Sequence, residues 1–420
     1  MQTTLNKSPE QRRIAYGNIC AIALFVRFVF ILTITPSFDA RSSFSIDAES
    51  YHQTAKNLVE RHIFASTIDP PYKADIPGTF RPPLTPFYLA CWYALFGVNL
   101  FWGRVGLAVI SALSCGLSYW IGYRLYGRNV GVVAGLASCV YPFFLLLVHV
   151  PLTEGLSIFL TLLVMAFLLN DTERHPYWHA VGLGVALGLL MLNKASNITT
   201  ASCVVLWAIL RYWRKPSKGI VLLMIIGLTA GCVIAPWTIR NYRVTGSFLL
   251  VNSNGGWTMY LGNSPSTDYN LTLLERGDSN GWTPPKEAYQ PFRDLALTDV
   301  KARDERAARL AKQFIVEHPE QFINLAWRKL KIFWSPYPHP ADQIAWTAMA
   351  ILGIFGLFAS FRRWKEHLLI YTLFGSSMLI PIFFTAMPRF RAPLIPFVII
   401  YASSALIALY AYGKRYANRN

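Results

Sequence analysis

Residues 80–98 read Phe80-Arg-Pro-Pro-Leu-Thr-Pro-Phe-Tyr-Leu-Ala-Cys-Trp-Tyr-Ala-Leu-Phe-Gly-Val98. Whether the apolar run 84–98 crosses a membrane decides on which side every later segment lies. It is short for a span, because a bilayer core of ~30 Å needs about 20 apolar residues in a helix. Ten other apolar stretches surround it, at 14–35, 101–123, 129–150, 154–170, 178–193, 197–213, 219–236, 343–360, 367–386 and 392–412. Cytoplasmic turns carry an excess of Lys and Arg, so charge arbitrates. If 84–98 does not cross, the basic N-terminus (Lys7, Arg12, Arg13) shares one side with five later segments. These are Arg124/Arg128, the 171–177 turn with Arg174, Arg211/Arg214/Lys215/Lys218, Arg362/Arg363/Lys365, and the tail with Lys414/Arg415/Arg419. If it crosses, all five move to the other side. The run therefore lies along the outer surface or dips in and returns. Phe87, Tyr88, Trp92, Tyr93 and Phe96 suit an interfacial helix.

Composition agrees with a polytopic membrane chain. Of 420 residues, 54% are hydrophobic, and the mean hydropathy is +0.34. The net charge of +17 sits mostly in short turns between apolar segments, which favours anionic headgroups and phosphate-bearing lipids over nucleic acid. The six cysteines (Cys20, Cys91, Cys115, Cys139, Cys203, Cys232) lie in or beside apolar runs without a CxxC pair, as small buried hydrophobes do. The first span has no small-x-small cleavage site after it and reads as an uncleaved signal anchor.

The expected fold is an all-α bundle of about ten transmembrane helices with juxtamembrane helices and one larger extracytoplasmic loop domain. The division is 1–236, including a first outer loop at 36–100, then the outer loop region 237–342, then the C-terminal helices 343–420. Both termini are expected on the cytoplasmic side of a cell (inner) membrane, with the active site on the other side. Within the outer loop region, 299–334 reads as one helical stretch, with Phe314, Ile315, Phe322, Leu325, Ala326, Leu330 and Phe333 recurring at near-helical spacing.

Polar residues then sort to the outer boundary. Asp47, in Asp47-Ala-Glu49-Ser-Tyr51, opens a helix running to Arg61, where an acid is most often a cap. Glu154 lies where one span emerges and the next re-enters, and a carboxylate there must pair, meet water or work. His149 is one residue inside the edge, where a histidine is more often hydrogen-bonded packing than a ligand. Arg81, Lys194, Arg240, Arg243, Arg389 and Arg391 break the positive-inside rule in outer turns. Snorkelling to headgroups explains any one of them. The set, converging with two carboxylates, points to a bound phosphate, for which Arg offers a bidentate fork. Such cations neutralise a phosphate leaving group, and a carboxylate takes the proton of an attacking acceptor. One carboxylate acting in direct displacement inverts the anomeric centre. No P-loop, Rossmann fingerprint or HExxH motif indicates a nucleotide-sugar site.

At these residues the chain resembles the GT-C superfamily of membrane glycosyltransferases. It is most similar to bacterial members of the protein-mannosyltransferase group, glycosyltransferase family 39, which includes the aminoarabinose transferases acting on lipid A. The likeness is carried by Asp47-x-x-x-Tyr51-x-x-x-Ala55, Phe80-Arg-Pro-Pro-Leu-Thr-Pro-Phe87, Leu152-Thr-Glu154, Pro236-Trp-Thr-Ile-Arg-Asn-Tyr-Arg-Val-Thr-Gly246 with Asn254-Gly-Gly-Trp257, and Pro388-Arg-Phe-Arg-Ala-Pro393. It implies that Asp47 is catalytic, that 84–98 is a second juxtamembrane helix, and that Arg389 and Arg391 meet the carrier phosphate. Relatives often have adjacent Asp-Glu where this chain has Asp47-Ala48-Glu49, and an Arg-Pro pair where it has Asn193-Lys194-Ala195.

The expected activity is inverting transfer of a sugar from a polyprenyl-phosphate carrier to an envelope lipid, glycan or protein on the non-cytoplasmic face. Asp47 and Glu154 are the expected catalytic pair, and Arg81, Lys194, Arg240, Arg389 and Arg391 the phosphate set. Glu49, Tyr51, His149 and Asn254 are expected to meet the acceptor or support the site. The sequence specifies no cofactor, and leaves open a divalent metal shared by Asp47 and Glu154. The competing reading is a transporter or flippase of a lipid-linked saccharide, for which Arg27 is the main midplane charge. The leading reading requires residue 47 and the residues near 390 to meet at one outer pocket.

Overall fold

The structure is a computed structural model that describes residues 9–34, 43–170, 175–278, 281 and 283–418. Lys7, Arg174 and Arg419, from the expected basic set, lie outside these residues. Proline writes many of the helix starts. Pro142, Pro176, Pro216, Pro319 and Pro340 each open a helix where a missing N–H leaves no bond unmade. Gly127, at φ +91°, makes the tight joint between two antiparallel helices, a backbone state that a side chain would strain.

Helices α1 (Pro9–Thr33), α2 (Ser43–Arg61), α3 (Leu84–Phe96), α4 (Leu100–Tyr126), α5 (Arg128–Val140), α6 (Pro142–His149), α7 (Thr153–Leu169) and α8 (Pro176–Asn193) form the first half. A 3₁₀ turn at Ala195–Thr200 leads to α9 (Ala201–Tyr212) and α10 (Pro216–Thr245). The loop region holds α11 (Gly255–Gly262), α12 (Thr267–Glu275), α13 (Val300–Glu317) and α14 (Pro319–Trp334). The chain then returns through α15 (Pro340–Ser360), α16 (Trp364–Phe383), a 3₁₀ turn at Pro388–Leu394 and α17 (Ile395–Ala417). Among the described residues there is no strand.

Close helix pairs meet through small residues, the usual packing device inside a membrane. A methyl added at Gly184 of α8 would stand 2.7 Å from the Ile226 carbonyl of α10. The first half of α17 is buried at the centre of the bundle. Outward faces carry large bare apolar side chains, such as Leu228 at 72% and Phe25 at 70% exposure, which water would not tolerate in such numbers. Arg13–Thr33, Leu100–Tyr126, Pro216–Thr245, the run Pro340–Phe383 and Pro388–Ala417 are long and apolar enough to cross a membrane. The pair α5 and α6, bent by 47°, makes a sixth. Pro142 causes that bend, since it holds Tyr141 in an extended conformation. Length and composition alone thus return fewer spans than the expected ten, with α7, α8 and α9 outside that group.

Helix α3 has 13 residues, so it measures about 20 Å at 1.5 Å per residue, well short of a bilayer core. It folds back on the first turns of α4, where Trp92 fills the place of a side chain at Gly106 and Tyr88 donates to the Gly106 carbonyl at 2.6 Å. The basic short turns gather at one end. Arg363 donates to the Leu125 carbonyl at 3.2 Å and Arg124 to that of Leu169 at 3.3 Å, while Arg211 and Lys365 line one pocket with Asn170.

Three boundaries differ from expectation. Helix α2 starts at Ser43, one turn before Asp47, so Asp47 is a helix residue and not its cap. Helix α10 runs to Thr245, so Arg240 and Arg243 ride on a continuous helix and not on a loop. The stretch 299–334 is two helices, broken at His318–Pro319 because Pro319 has no N–H to continue α13.

Candidate active site

At the end of the bundle opposite the basic turns, six charged side chains form an alternating chain. Lys194 Nζ lies 3.3 Å from Glu154 Oε1. Arg389 Nε lies 3.9 Å from the same oxygen, and its Nη2 is paired with Asp47 Oδ2. The other Asp47 oxygen, Oδ1, stands 2.8 Å from Arg81 Nη1. Arg81 then grips Asp69 with Nη2 at 2.8 Å and Nε at 2.9 Å from Oδ1. Each member is placed by a different element: the C-terminus of α8, the first turn of α7, the 388–394 turn, α2, and the two arms of the first loop. Three cations balance three carboxylates, as burial demands.

Asp47 sits at the centre with its side chain 18% exposed. Burial alone pushes its carboxyl up, but Arg81 and then Arg389, by charge and by hydrogen bonds, outweigh this and bring it down to about 2. Glu154 is buried at 3% exposure. Beside it Asn193 donates to the Thr153 carbonyl at 2.7 Å and accepts from Thr85 Oγ1 at 2.8 Å, which locks α8, α7 and α3 together. Ser50 Oγ donates to Asp69.

The remaining expected residues divide. Tyr51 lies under the Arg81 guanidinium, 5.3 Å from ring centroid to Cζ. Arg240 donates to the Gly78 carbonyl at 2.6 Å and stacks on Trp237, so it braces the first loop beside the cluster. Arg391 turns away: its Nη1 donates to the carbonyls of Pro388, Phe333 and Ser335, and its Nη2 lies 3.5 Å from Asp342. Glu49 is exposed and accepts from Gln53 one turn on. His149 contacts the Phe30 carbonyl at 3.2 Å. Asn254 accepts from Asn252, which also donates to the Phe80 carbonyl. Asp69 and Asp342 were not singled out from sequence. Asp69 looks like any loop acid before prolines, and Asp342 like a first-turn helix acid.

Among the described residues, no group of three or more His, Cys, Asp and Glu stands where it could hold a metal ion. Arg389 stands between Asp47 and Glu154, so the space a shared cation would need holds a guanidinium already.

A pocket of about 530 Å³ opens from the Lys194–Glu154 end of the cluster. Hydroxyls and an amide line it (Ser157, Thr161, Asn197, Thr200 and Ser377), with Phe390 and Leu373 as apolar walls. Lys194 Nζ lies 3.8 Å from the Phe390 ring centroid. Such a lining can bond a polar ligand beside the Lys194 ammonium.

The fold is a GT-C-like helical bundle, shared with ArnT and AglB. The sequence profile of the family described as dolichyl-phosphate-mannose-protein mannosyltransferase matches residues 80–239. The structure is similar to that of ArnT from Cupriavidus metallidurans bound to undecaprenyl phosphate, at TM-score 0.56 and 17% identity, over 96% of this chain and 62% of that one. It is also similar to the archaeal oligosaccharyltransferase AglB from Archaeoglobus fulgidus, in complex with an inhibitory peptide and a dolichol-phosphate. There the TM-score is 0.56 and the identity 12%, over 97% of this chain and 51% of that one. The chain thus spans about six-tenths of the first and half of the second. No curated protein matches it in sequence.

Proposed function

We propose that the chain is an inverting glycosyltransferase that moves a sugar from a polyprenyl-phosphate carrier to an envelope acceptor, on the non-cytoplasmic face. The observation that carries this is the alternating cluster with a carboxylate held between two guanidinium groups. In the resting protein Asp47 occupies the place that a phosphate would take between Arg81 and Arg389. When the carrier phosphate enters, those guanidinium groups turn to its oxygens, with Lys194 on the far side. Glu154 keeps Lys194 and Arg389 aimed. Asp47, released, accepts the proton of the acceptor hydroxyl or amine. The acceptor atom bonds to the anomeric carbon from the face opposite the phosphate. The bond to the phosphate oxygen breaks, and that oxygen keeps the electron pair under the three cations. Arg391 holds the turn that carries Arg389 and does not touch the phosphate.

Arg27 bears on the transporter alternative. Its guanidinium is buried and spent on Ser111 Oγ, Cys115 Sγ and the carbonyls of Ala23, Ser138 and Cys139. A side chain so fully engaged is poor machinery for moving a substrate. The test is twofold. Mass spectrometry of envelope glycans from cells with and without the protein should reveal one missing sugar. The purified protein should then move that sugar from its polyprenyl phosphate to the acceptor without any added energy source. Transport without transfer would overturn the proposal.

The pH dependence follows from Asp47. Its carboxyl is depressed in the donor-free protein, so its ion pairs persist above the ordinary carboxylate range and are lost only as the pH falls through about 2. The donor phosphate draws the two arginines away and adds negative charge, which raises the carboxyl. Hence kcat/KM should show no acid limb from Asp47 above about pH 4, while kcat should decline on the acid side at higher pH. A pH–rate profile measured with saturating and with limiting donor checks this. Coincident acid limbs would contradict the displacement of Asp47 by phosphate.

A further inference from the structure

A second pocket, of about 490 Å³, adjoins the other end of the charge chain. Its floor is Pro70 and Phe80, the immediate chain neighbours of Asp69 and Arg81. The outer loop is stapled to that floor. Ser253 N donates to the Thr79 carbonyl at 2.9 Å, and Asn252 donates to the Phe80 carbonyl at 3.2 Å. Three aromatic rings face the space: Tyr72, Trp257 and Tyr289. Trp257 and Tyr289 lie with centroids 5.4 Å apart and planes tilted by 34°. Tyr72 and Tyr289 are 46% and 41% exposed, an aromatic patch that packing does not explain. Tyr72 is held at φ +62°, a left-handed state that an aromatic residue seldom adopts. Beside the rings lie Asp304 and Arg303, whose Nη1 donates to the Phe292 and Leu295 carbonyls at 3.1 Å and leaves Nε and Nη2 for a ligand. Asp304 Oδ1 accepts from Trp257 N at 2.8 Å, which fixes both groups.

We propose that this pocket is the acceptor subsite and that it takes a sugar ring. The proposal rests on the transferase reading above and names the acceptor chemistry of that reading. A lipid tail has no use for the Arg303–Asp304 pair. A phosphate would meet Asp304 and the nearby Asp69. A pyranose offers what the walls complement: C–H faces to stack on the rings, and hydroxyls to bond a carboxylate, a guanidinium and Ser253. The placement also supplies the geometry of transfer. The donor pocket opens at Lys194 and Glu154, the acceptor pocket lies behind Asp69 and Arg81, and Asp47 is the link between them. A sugar hydroxyl reaching past Arg81 arrives at the one carboxylate that both sides share.

The experiment uses the full chain in detergent micelles. Saturation-transfer-difference NMR is run with chitotriose, maltotriose and mannotriose, and with an acetylated Ala-Ser-Ala peptide. Ring C–H protons of at least one trisaccharide should receive saturation. Tyr289→Ala, a surface change, and Asp304→Asn should each weaken that binding by about tenfold. The same samples are tested for thermal stabilisation by undecaprenyl phosphate, which neither variant should alter. No signal from any trisaccharide, an unchanged signal in both variants, or binding of the peptide alone would overturn the inference. Absent stabilisation by undecaprenyl phosphate, with saccharide binding intact, would instead count against the donor side of the transferase reading.

Discussion

Replacement of Asp47 by Asn should lower sugar transfer by ~10³-fold, within the range of about 10²–10⁴ for loss of a positioned general base. The change is isosteric, but it leaves three buried cations facing two carboxylates. Arg81 keeps its two-point grip on Asp69, and Arg389 keeps Glu154 at 3.9 Å. The variant should therefore still fold, with a thermal midpoint lowered by the two lost ion pairs. Carrier-phosphate affinity gives the decisive contrast. In the native protein the phosphate must displace the Asp47 carboxylate from the guanidinium groups. In Asp47→Asn that competitor is neutral, so the affinity should be equal or tighter while turnover collapses. Loss in kcat without loss in binding identifies a group that acts on the reaction. Turnover at the native rate would remove Asp47 from the mechanism. Carrier binding that falls in parallel would make Asp47 a binding residue only.

The sequence made legible which basic turns share one end of the bundle, because membrane topology is written in charge. The short run 84–98 and the basic turns needed only the length of a bilayer core and the positive-inside rule. Contacts between residues on one side are another matter. Asp47 and Arg389 are 342 positions apart, and their meeting depends on how α17 packs at the centre of the bundle, which no local pattern encodes. Asp69 escaped notice for the same reason: an acid in a proline-rich loop gains meaning only when Arg81 folds onto it. The break at His318–Pro319 was legible in principle, since proline opens helices more readily than it continues them. Apolar spacing across it concealed the signal.

The pair Arg389 and Arg391 illustrates what a motif conceals. Two residues apart on a tight 3₁₀ turn, their side chains leave in different directions. Arg389 reaches the carboxylates of the cluster. Arg391, 1% exposed, stacks over Trp346 at 4.0 Å and ties together the end of α14, the start of α15 and its own turn. Breaking a buried pair from one side leaves an uncompensated charge and costs about 3–5 kcal/mol. Arg391→Leu and Asp342→Asn should therefore each lower the thermal midpoint of the purified protein sharply. Asp342 also accepts from Tyr337 N at 2.9 Å, a bond that the amide oxygen of Asn can keep, so that variant isolates the loss of charge. The double variant should cost less than the sum of the singles, because the two residues share one interaction. Arg389→Gln also breaks a buried pair and should lower the midpoint too, but it should in addition weaken binding of undecaprenyl phosphate and flatten its salt dependence. Arg391→Leu, studied below its lowered midpoint, should retain that salt dependence. If Arg391→Leu instead melted like the native protein and lost carrier binding, Arg391 would belong at the phosphate beside Arg389, and the separation of the two arginines drawn from their contacts would be wrong.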